Sequence, residues 1–138
     1  MTVPGDVLAS KRYPCTRESV PKARHLIQEL YPEIELELLY VVQLLVSEAA
    51  TNAVLHAGGE VFELVCHSPL DGSVEIEVHD GSRDRPQRRS PSPTDQHGRG
   101  LKLLDRYAPG WTVEETSNGK RLKFTVEGKR CQAEAASA

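Results

Sequence analysis

Residues 35–57 read ELELLYVVQLLVSEAATNAVLHA, and no other stretch of the chain is as strongly periodic. Apolar side chains recur there every three to four residues, which places them along one face of an α-helix. Gly58 and Gly59 follow, and glycine tolerates the left-handed conformation in which many helices end. The stretch therefore predicts a long helix from about Glu35 to Ala57 that lies against a sheet. Its apolar positions are Leu38, Leu39, Val42, Leu45, Val46, Ala49, Ala50 and Ala53.

Shorter patterns on both sides of this helix predict an α+β domain. We expect two layers over residues 7–128, with three helices on one face of a mixed or antiparallel sheet. The tail over 129–138 is rich in Ala, Glu and Ser and is expected to be disordered. The remaining elements are a strand over Val7–Pro14, a helix capped by Thr16 or Ser19 and running to about Tyr31, strands over Val61–His67 and Ser73–His79, a loop over 81–97, a helix from about Gly98, and a hairpin of Trp111–Thr116 with Arg121–Val126.

The composition narrows the class of protein. The 138 residues suit one domain, and a net charge of −3 argues against a nucleic-acid binder, which would show a basic patch. None of the three cysteines forms a CxxC pair, which fits reduced intracellular thiols better than disulfides or a zinc site. No apolar leader and no apolar run of membrane-spanning length is evident. We therefore expect a cytoplasmic protein that contacts neither membrane nor nucleic acid directly.

Polar residues interrupt the long helix near its end. Glu48 and Asn52 are four residues apart and project from one stripe, and His56 follows one turn later. An amide oxygen such as that of Asn52 is a suitable ligand for Mg²⁺, and a carboxylate such as Glu48 can accept a hydroxyl proton. The alternative is that Glu48 and Asn52 simply face solvent.

Two further features have a structural and a functional interpretation. Asp80 ends an apolar strand, where its carboxylate could accept a hydrogen bond from an exocyclic amine such as that of adenine; Asp-Gly is otherwise a common turn. The run His97-Gly98-Arg99-Gly100-Leu101 places two glycines at a helix start, where backbone N–H groups and the helix dipole favour phosphate. A simple capping loop explains the same run equally well.

Taken together, these motifs resemble those of the GHKL ATPases. The segment Ser47 to Ala57 is similar to the N-box of that family. Asp80-Gly81-Ser82 resembles the start of its adenine-binding acidic box, and the run from His97 to Leu101 resembles its second glycine box. The resemblance covers almost the whole chain, roughly residues 7–128. It implies the ATP-binding fold of that family, the Bergerat fold.

The short form of the chain is similar to the small anti-sigma-factor serine/threonine kinases. That resemblance implies Glu48 as general base, Asn52 as Mg²⁺ ligand and Asp80 as the adenine contact, with ATP and Mg²⁺ as cofactors. Its implied partners are a STAS-type anti-anti-sigma protein and a sigma factor, and a homodimer is compatible with it. The remaining residues that it places at the nucleotide are His56, Ser82, His97, Gly98, Arg99, Gly100 and Leu101.

Two departures from the family motifs leave other functions open. The acidic box continues Asp80-Gly81-Ser82 without its second glycine, and the last strand begins Gly119-Lys120-Arg121 where the family often has Gly-Thr-Thr. The chain could therefore be a partner-switch module that sequesters a regulator with little or no nucleotide chemistry. A separate ATPase domain of the histidine-kinase type is a third reading, since nothing in the chain excludes it.

Overall fold

The structure is a computed structural model that describes residues 5–56, 59–81, 96–117 and 119–128, with the backbone alone for 96–100. Five strands and three helices follow one another in the predicted order. Their bounds are β1 Val7–Pro14, α1 Ser19–Leu30, α2 Leu36–His56, β2 Val61–His67, β3 Ser73–Asp80, α3 Gln96–Tyr107, β4 Thr112–Thr116 and β5 Gly119–Glu127.

The five strands form a single sheet in the order β1-β2-β3-β5-β4, and every neighbouring pair is antiparallel. Of the two sheet types left open by the sequence, the antiparallel one is therefore present. The hairpins β2–β3 and β4–β5 are confirmed. The pairing of β3 with β5 joins strands that are distant in sequence, and it sets Asp80 opposite Lys120.

One face of the sheet carries the core. Along β3, Val74, Ile76 and Val78 are buried, whereas the residues between them are only half-buried, as expected when alternate side chains point to opposite faces. All three helices contribute to the same hydrophobic cluster as these inner side chains, for example through Ile27 of α1 and Leu104 of α3. The predicted two-layer α+β arrangement is confirmed, and we call the opposite side of the sheet the outer face.

Helix α2 is the central helix of this core. Within the described residues it is the one helix long and apolar enough to span a membrane by length and composition, although the sequence analysis identified no such segment. Half of that apolar window is buried inside the fold, and the stripe from Leu38 to Ala53 packs against the sheet and the other helices. The apolar character of α2 is thus explained by its place in the core.

Two helix starts differ from the sequence-based expectation. The N-cap of α1 is Glu18 without a side-chain cap, so a cap by Thr16 or Ser19 was wrong. The Ser19 hydroxyl instead donates to the carbonyl of Pro14 at 2.6 Å, which ties the helix to the end of β1. Helix α3 begins at Gln96, two residues before the predicted start, so Gly98 lies within its first turn. Of the predicted loop over 81–97, residues 82–95 lie outside the described residues.

Candidate functional site

The polar stripe of α2 runs from the core to the surface. Glu48 is buried, with 8% of its surface exposed, Asn52 is half-buried, and His56 is exposed at the last residue of the helix. A carboxylate is rarely buried unless it is paired or has a function, because burial removes its hydration. The interpretation that Glu48 merely faces solvent therefore does not hold.

Three other polar side chains of α2, those of Gln43, Ser47 and Thr51, make hydrogen bonds to the backbone or to α1. Gln43 donates from Nε2 to the carbonyl of Arg24 on α1 at 3.1 Å, and Arg24 Nη1 donates to Ser47 Oγ at 3.4 Å. Ser47 and Thr51 each donate to the carbonyl four residues earlier, at 2.8 and 2.7 Å. The bonds of Arg24 hold α1 against α2 along a stripe that is separate from the one of Glu48, whereas those donated by Ser47 and Thr51 lie within α2.

Asp80 is the last residue of β3 and shares the inner face with Val78. Only 7% of the Asp80 side chain is exposed, and the ammonium of Lys120 lies 3.9 Å from its Oδ2. The Lys120 side chain is 14% exposed. The missing hydroxyl residue at the start of β5 was evident from the sequence, but the approach of Lys120 to Asp80 was not. The alternation of Lys120 with Leu122 and Phe124 could have indicated that its side chain points inward.

Three glycines bring the chain segments at this sheet edge into close contact. A Cβ added at Gly119, whose φ is +154°, would collide with the Asp80 carbonyl and lie 2.8 Å from the Gly81 Cα. One added at Gly59 would lie 3.4 Å from the same Cα. Gly59 follows α2 by three residues, so the end of the helix and the end of β3 meet at one edge of the domain.

Cys15 lies at the same edge and was not singled out from the sequence. Its backbone N–H donates to the carbonyl of Glu60 at 2.9 Å. Burial, followed by the nearby Asp80 carboxylate, raises the pKa of the Cys15 thiol above its usual value. A half-buried thiol whose pKa responds to Asp80 is a useful reporter of what binds beside that carboxylate.

The glycine run is helical rather than a loop before the helix. His97, Gly98, Arg99 and Gly100 lie in the first turns of α3, and Leu101 is buried in the core. Helix α3 contacts both α2 and β5, so its first turn and the Glu48 stripe belong to adjacent helices. Ser82 lies outside the described residues.

A depression of about 510 Å³ occupies this edge, but it does not include the α2 stripe. Asp80 and Gly81 contribute to its wall, together with Glu63 and His79 of the outer face. It therefore opens toward the outer side of the sheet, whereas Glu48 and Asn52 lie on α2, which covers the inner side. We do not assign the nucleotide to this depression.

These elements define an ATP-binding domain fold of the GHKL type: an open antiparallel sheet of five strands covered on one face by three helices. Residues 13–126 match the family described as the histidine kinase-like ATPase domain, and the chain belongs to that family. Members of this class are ATP-binding domains. No curated protein matches the chain in sequence.

A solved structure of similar fold comes from Mycobacterium tuberculosis. It contains the RsbU and RsbW domains of Rv1364c and superimposes with a TM-score of 0.64 at 14% sequence identity. The match covers 86% of the present chain and 32% of that protein's chain, so the present chain spans about a third of its length. At this identity the likeness concerns the fold.

Proposed function

We propose that the chain is an ATP- and Mg²⁺-dependent serine/threonine protein kinase of the anti-sigma-factor type, acting on a STAS-type anti-anti-sigma partner. The observation that carries the proposal is the burial of Glu48 one helical turn before the half-buried Asn52. Family membership supports ATP as the phosphoryl donor. The similar fold of a structure that contains an RsbW domain supports a regulator of this kind.

The described residues fit the two cofactors. Asp80 offers a carboxylate acceptor on the inner face for an adenine amine, and the Asn52 amide oxygen suits Mg²⁺. ATP would supply the γ-phosphoryl group and Mg²⁺ would neutralise its charge. Glu48 would accept the proton of the attacking serine or threonine hydroxyl, so that the new oxygen–phosphorus bond forms as the bond to ADP breaks. We assign His56, Ser82, Leu101 and the backbone from His97 to Gly100 to the nucleotide surroundings.

A single variant tests the role of Glu48. Glu48→Ala should retain ATP binding, measured by calorimetry, but lose phosphate transfer to a STAS partner, since it removes the proposed proton acceptor and leaves Asn52 and Asp80 in place. Glu37→Ala is a matched control because Glu37 is an exposed carboxylate in the first turn of the same helix. Undiminished transfer by Glu48→Ala would remove the general-base assignment.

The Lys120–Asp80 pair favours a second candidate function. The Lys120 ammonium lies 3.9 Å from Asp80 Oδ2 and forms an ion pair with the carboxylate that adenine would need. The chain would then be a partner-switch module that sequesters a sigma factor or another regulator with little nucleotide chemistry. Absence of heat on titration with millimolar ATP and Mg²⁺ would favour this function over the kinase.

The partner and the compartment follow from the same proposal. An ATP-dependent regulator of a sigma factor would work in the cytoplasm.

Capture of partners from the native host, followed by incubation with ATP, would identify the phosphorylated protein. An acid-stable product indicates serine or threonine chemistry, whereas an acid-labile one would indicate phosphohistidine and the histidine-kinase alternative. The oligomeric state, including a homodimer, is measured by light scattering on the same preparation.

A further inference from the structure

The outer face of the sheet holds a cluster of ionisable side chains that the nucleotide site does not use. Cys66 of β2 pairs with Ile76 of β3, so His67 and Glu75, one step further along, face each other on the outer side. Glu77 lies two residues along β3 and shares that side, because alternate residues of a strand point to the same face. His67, Glu75 and Glu77 therefore converge across the β2–β3 hairpin.

Their ligand atoms are close enough to share one cation. His67 Nε2 lies 2.6 Å from Glu77 Oε2 and 3.5 Å from Glu75 Oε1. Each of the three residues offers one ligand atom within 4.8 Å of those of the other two. The side chains of His67 and Glu77 are each only 12% exposed. One imidazole nitrogen and two carboxylate oxygens form a donor set that zinc and its neighbours in the first transition row accept.

The imidazole of His67 is held in the orientation that a metal ligand needs. Its Nδ1 lies 3.1 Å from the carbonyl of Gly5, so an N–H at Nδ1 donates there and leaves Nε2 facing the carboxylates. The backbone of His67 is fixed too, because the Tyr31 hydroxyl donates to its carbonyl at 2.5 Å. A histidine that donates its second N–H to a carbonyl is the usual arrangement around a protein-bound metal.

Glu77 is oriented in the same way from its other oxygen. His79 Nε2 lies 3.1 Å from Glu77 Oε1, and Arg121 Nη1 lies 3.7 Å from it, so Oε2 is directed toward His67. These two contacts on Oε1 fix the carboxylate plane and leave Oε2 as the ligand atom next to His67.

A proton on Nε2 accounts for the contact with Glu77 but not for the position of Glu75. A single N–H at Nε2 points to one oxygen, and the contacts of His79 and Arg121 lie at Glu77 Oε1, whereas a divalent cation near Nε2 would contact both carboxylates. We propose that His67, Glu75 and Glu77 bind a divalent transition-metal ion of the zinc class on the outer face of the sheet. Water completes the coordination.

The two distances from His67 require only small movements to accept a metal ion. Zinc ligands at about 2.0–2.2 Å in a tetrahedral arrangement stand about 3.3 Å apart. The His67–Glu75 separation of 3.5 Å already agrees, and His67 and Glu77 must separate by less than 1 Å from 2.6 Å. Bound metal would join β2, β3 and the segment of Gly5 on the face of the sheet that α2 does not cover. The site is separate from the nucleotide site and does not depend on the proposed kinase activity.

The test uses the metal-stripped full chain without nucleotide. Calorimetry with Zn²⁺ should show one ion per chain, and Mg²⁺ at millimolar concentration should not displace it, because imidazole nitrogen favours zinc over magnesium. Co²⁺ as a spectroscopic probe should give the visible bands of a low-coordinate nitrogen–oxygen site without the near-ultraviolet sulfur band that Cys15, Cys66 or Cys131 would produce.

Matched variants separate this site from any other. Glu75→Gln keeps the shape of the side chain and should weaken Zn²⁺ binding about tenfold or more. Glu63→Gln is the control, since Glu63 lies on the same face of β2 but contacts Arg12 and Ser10 instead. Thermal unfolding in EDTA checks that each variant folds, and His67→Gln replaces Glu75→Gln if the latter does not.

Three results would overturn the proposal. They are no binding of Zn²⁺ or Co²⁺ by the wild-type chain, a sulfur band in the Co²⁺ spectrum, and equal affinities in Glu75→Gln and the wild type. Because the cobalt spectrum is taken on the wild-type chain, it decides the question even where a variant is unstable.

Discussion

Replacement of Lys120 by threonine should strengthen ATP binding. Lys120 Nζ lies 3.9 Å from Asp80 Oδ2, and both side chains are largely buried at the end of the sheet. Two unit charges at this separation attract by about 4 kcal/mol at an effective dielectric constant of about 20. Adenine can use the Asp80 carboxylate only by competing with that attraction. Threonine removes the charge and supplies a hydroxyl at the same position.

The net effect is smaller than the Coulomb attraction because desolvation offsets part of it. We expect Lys120→Thr to gain about 1–2 kcal/mol in ATP binding, which is about fivefold to thirtyfold in Kd. The same change leaves the Asp80 carboxylate without this cation, so the free energy of unfolding should fall by about 1–2 kcal/mol. Opposite signs in affinity and stability are the signature of a charge pair that the nucleotide must displace.

Calorimetry with ATP and Mg²⁺ measures the affinity, and urea denaturation measures the stability. Lys123→Thr is the control, because Lys123 lies on the same strand opposite Glu77, on the outer face. GTP should gain nothing from Lys120→Thr, since guanine presents a carbonyl where adenine presents an amine. A folded Lys120→Thr protein with unchanged or weaker ATP affinity would refute the reasoning.

Three further outcomes test the sheet edge and the core. Gly119→Ala should lower the free energy of unfolding by about 3 kcal/mol in urea, because its Cβ would meet the Asp80 backbone, whereas Gly110→Ala, with open space around it, should change little. Phe124→Ala should cost about 3–5 kcal/mol in the same assay, since Phe124 is fully buried; a loss below 1 kcal/mol would contradict that core position. ATP with Mg²⁺ should slow the alkylation of Cys15, which mass spectrometry measures. Cys66, whose pKa is raised to about 12 by burial, should stay unlabelled with or without nucleotide. If the chain binds ATP but Cys15 is labelled at the same rate, the nucleotide lies elsewhere.

The elements with strong local patterns could be predicted from the sequence. Helix α2 was predicted within one residue of its observed bounds, because its apolar period is long and unbroken. The strand β3 followed from the alternation of Val74, Ile76 and Val78. The start of α3 was less accurate, since Gln96 and His97 carry no apolar period and the two glycines that follow favour a loop. Local sequence pattern thus predicts that a helix or strand exists more reliably than it predicts where that element begins or ends.

Contacts between distant strands could not be predicted in this way. Asp80 meets Lys120 only because β3 pairs with β5 in one particular register, and alternation within each strand is compatible with several registers. The convergence of His67 with Glu75 depends likewise on how the β2–β3 hairpin is aligned. The burial of Glu48 depends on how closely the neighbouring helix and sheet cover one side of α2, which periodicity alone does not measure.

The two candidate functions differ in what they require of the same sheet edge. If the wild-type chain binds ATP and Glu48→Ala abolishes transfer, Lys120 is displaced by the nucleotide and the chain works as a kinase. If the wild-type chain binds no ATP but Lys120→Thr does, the nucleotide site is intact and the Lys120–Asp80 ion pair blocks it in the wild type. That result would favour the partner-switch function. If neither binds ATP, Asp80 and Lys120 form a structural pair, and the burial of Glu48 reflects the packing of α2 rather than a nucleotide site.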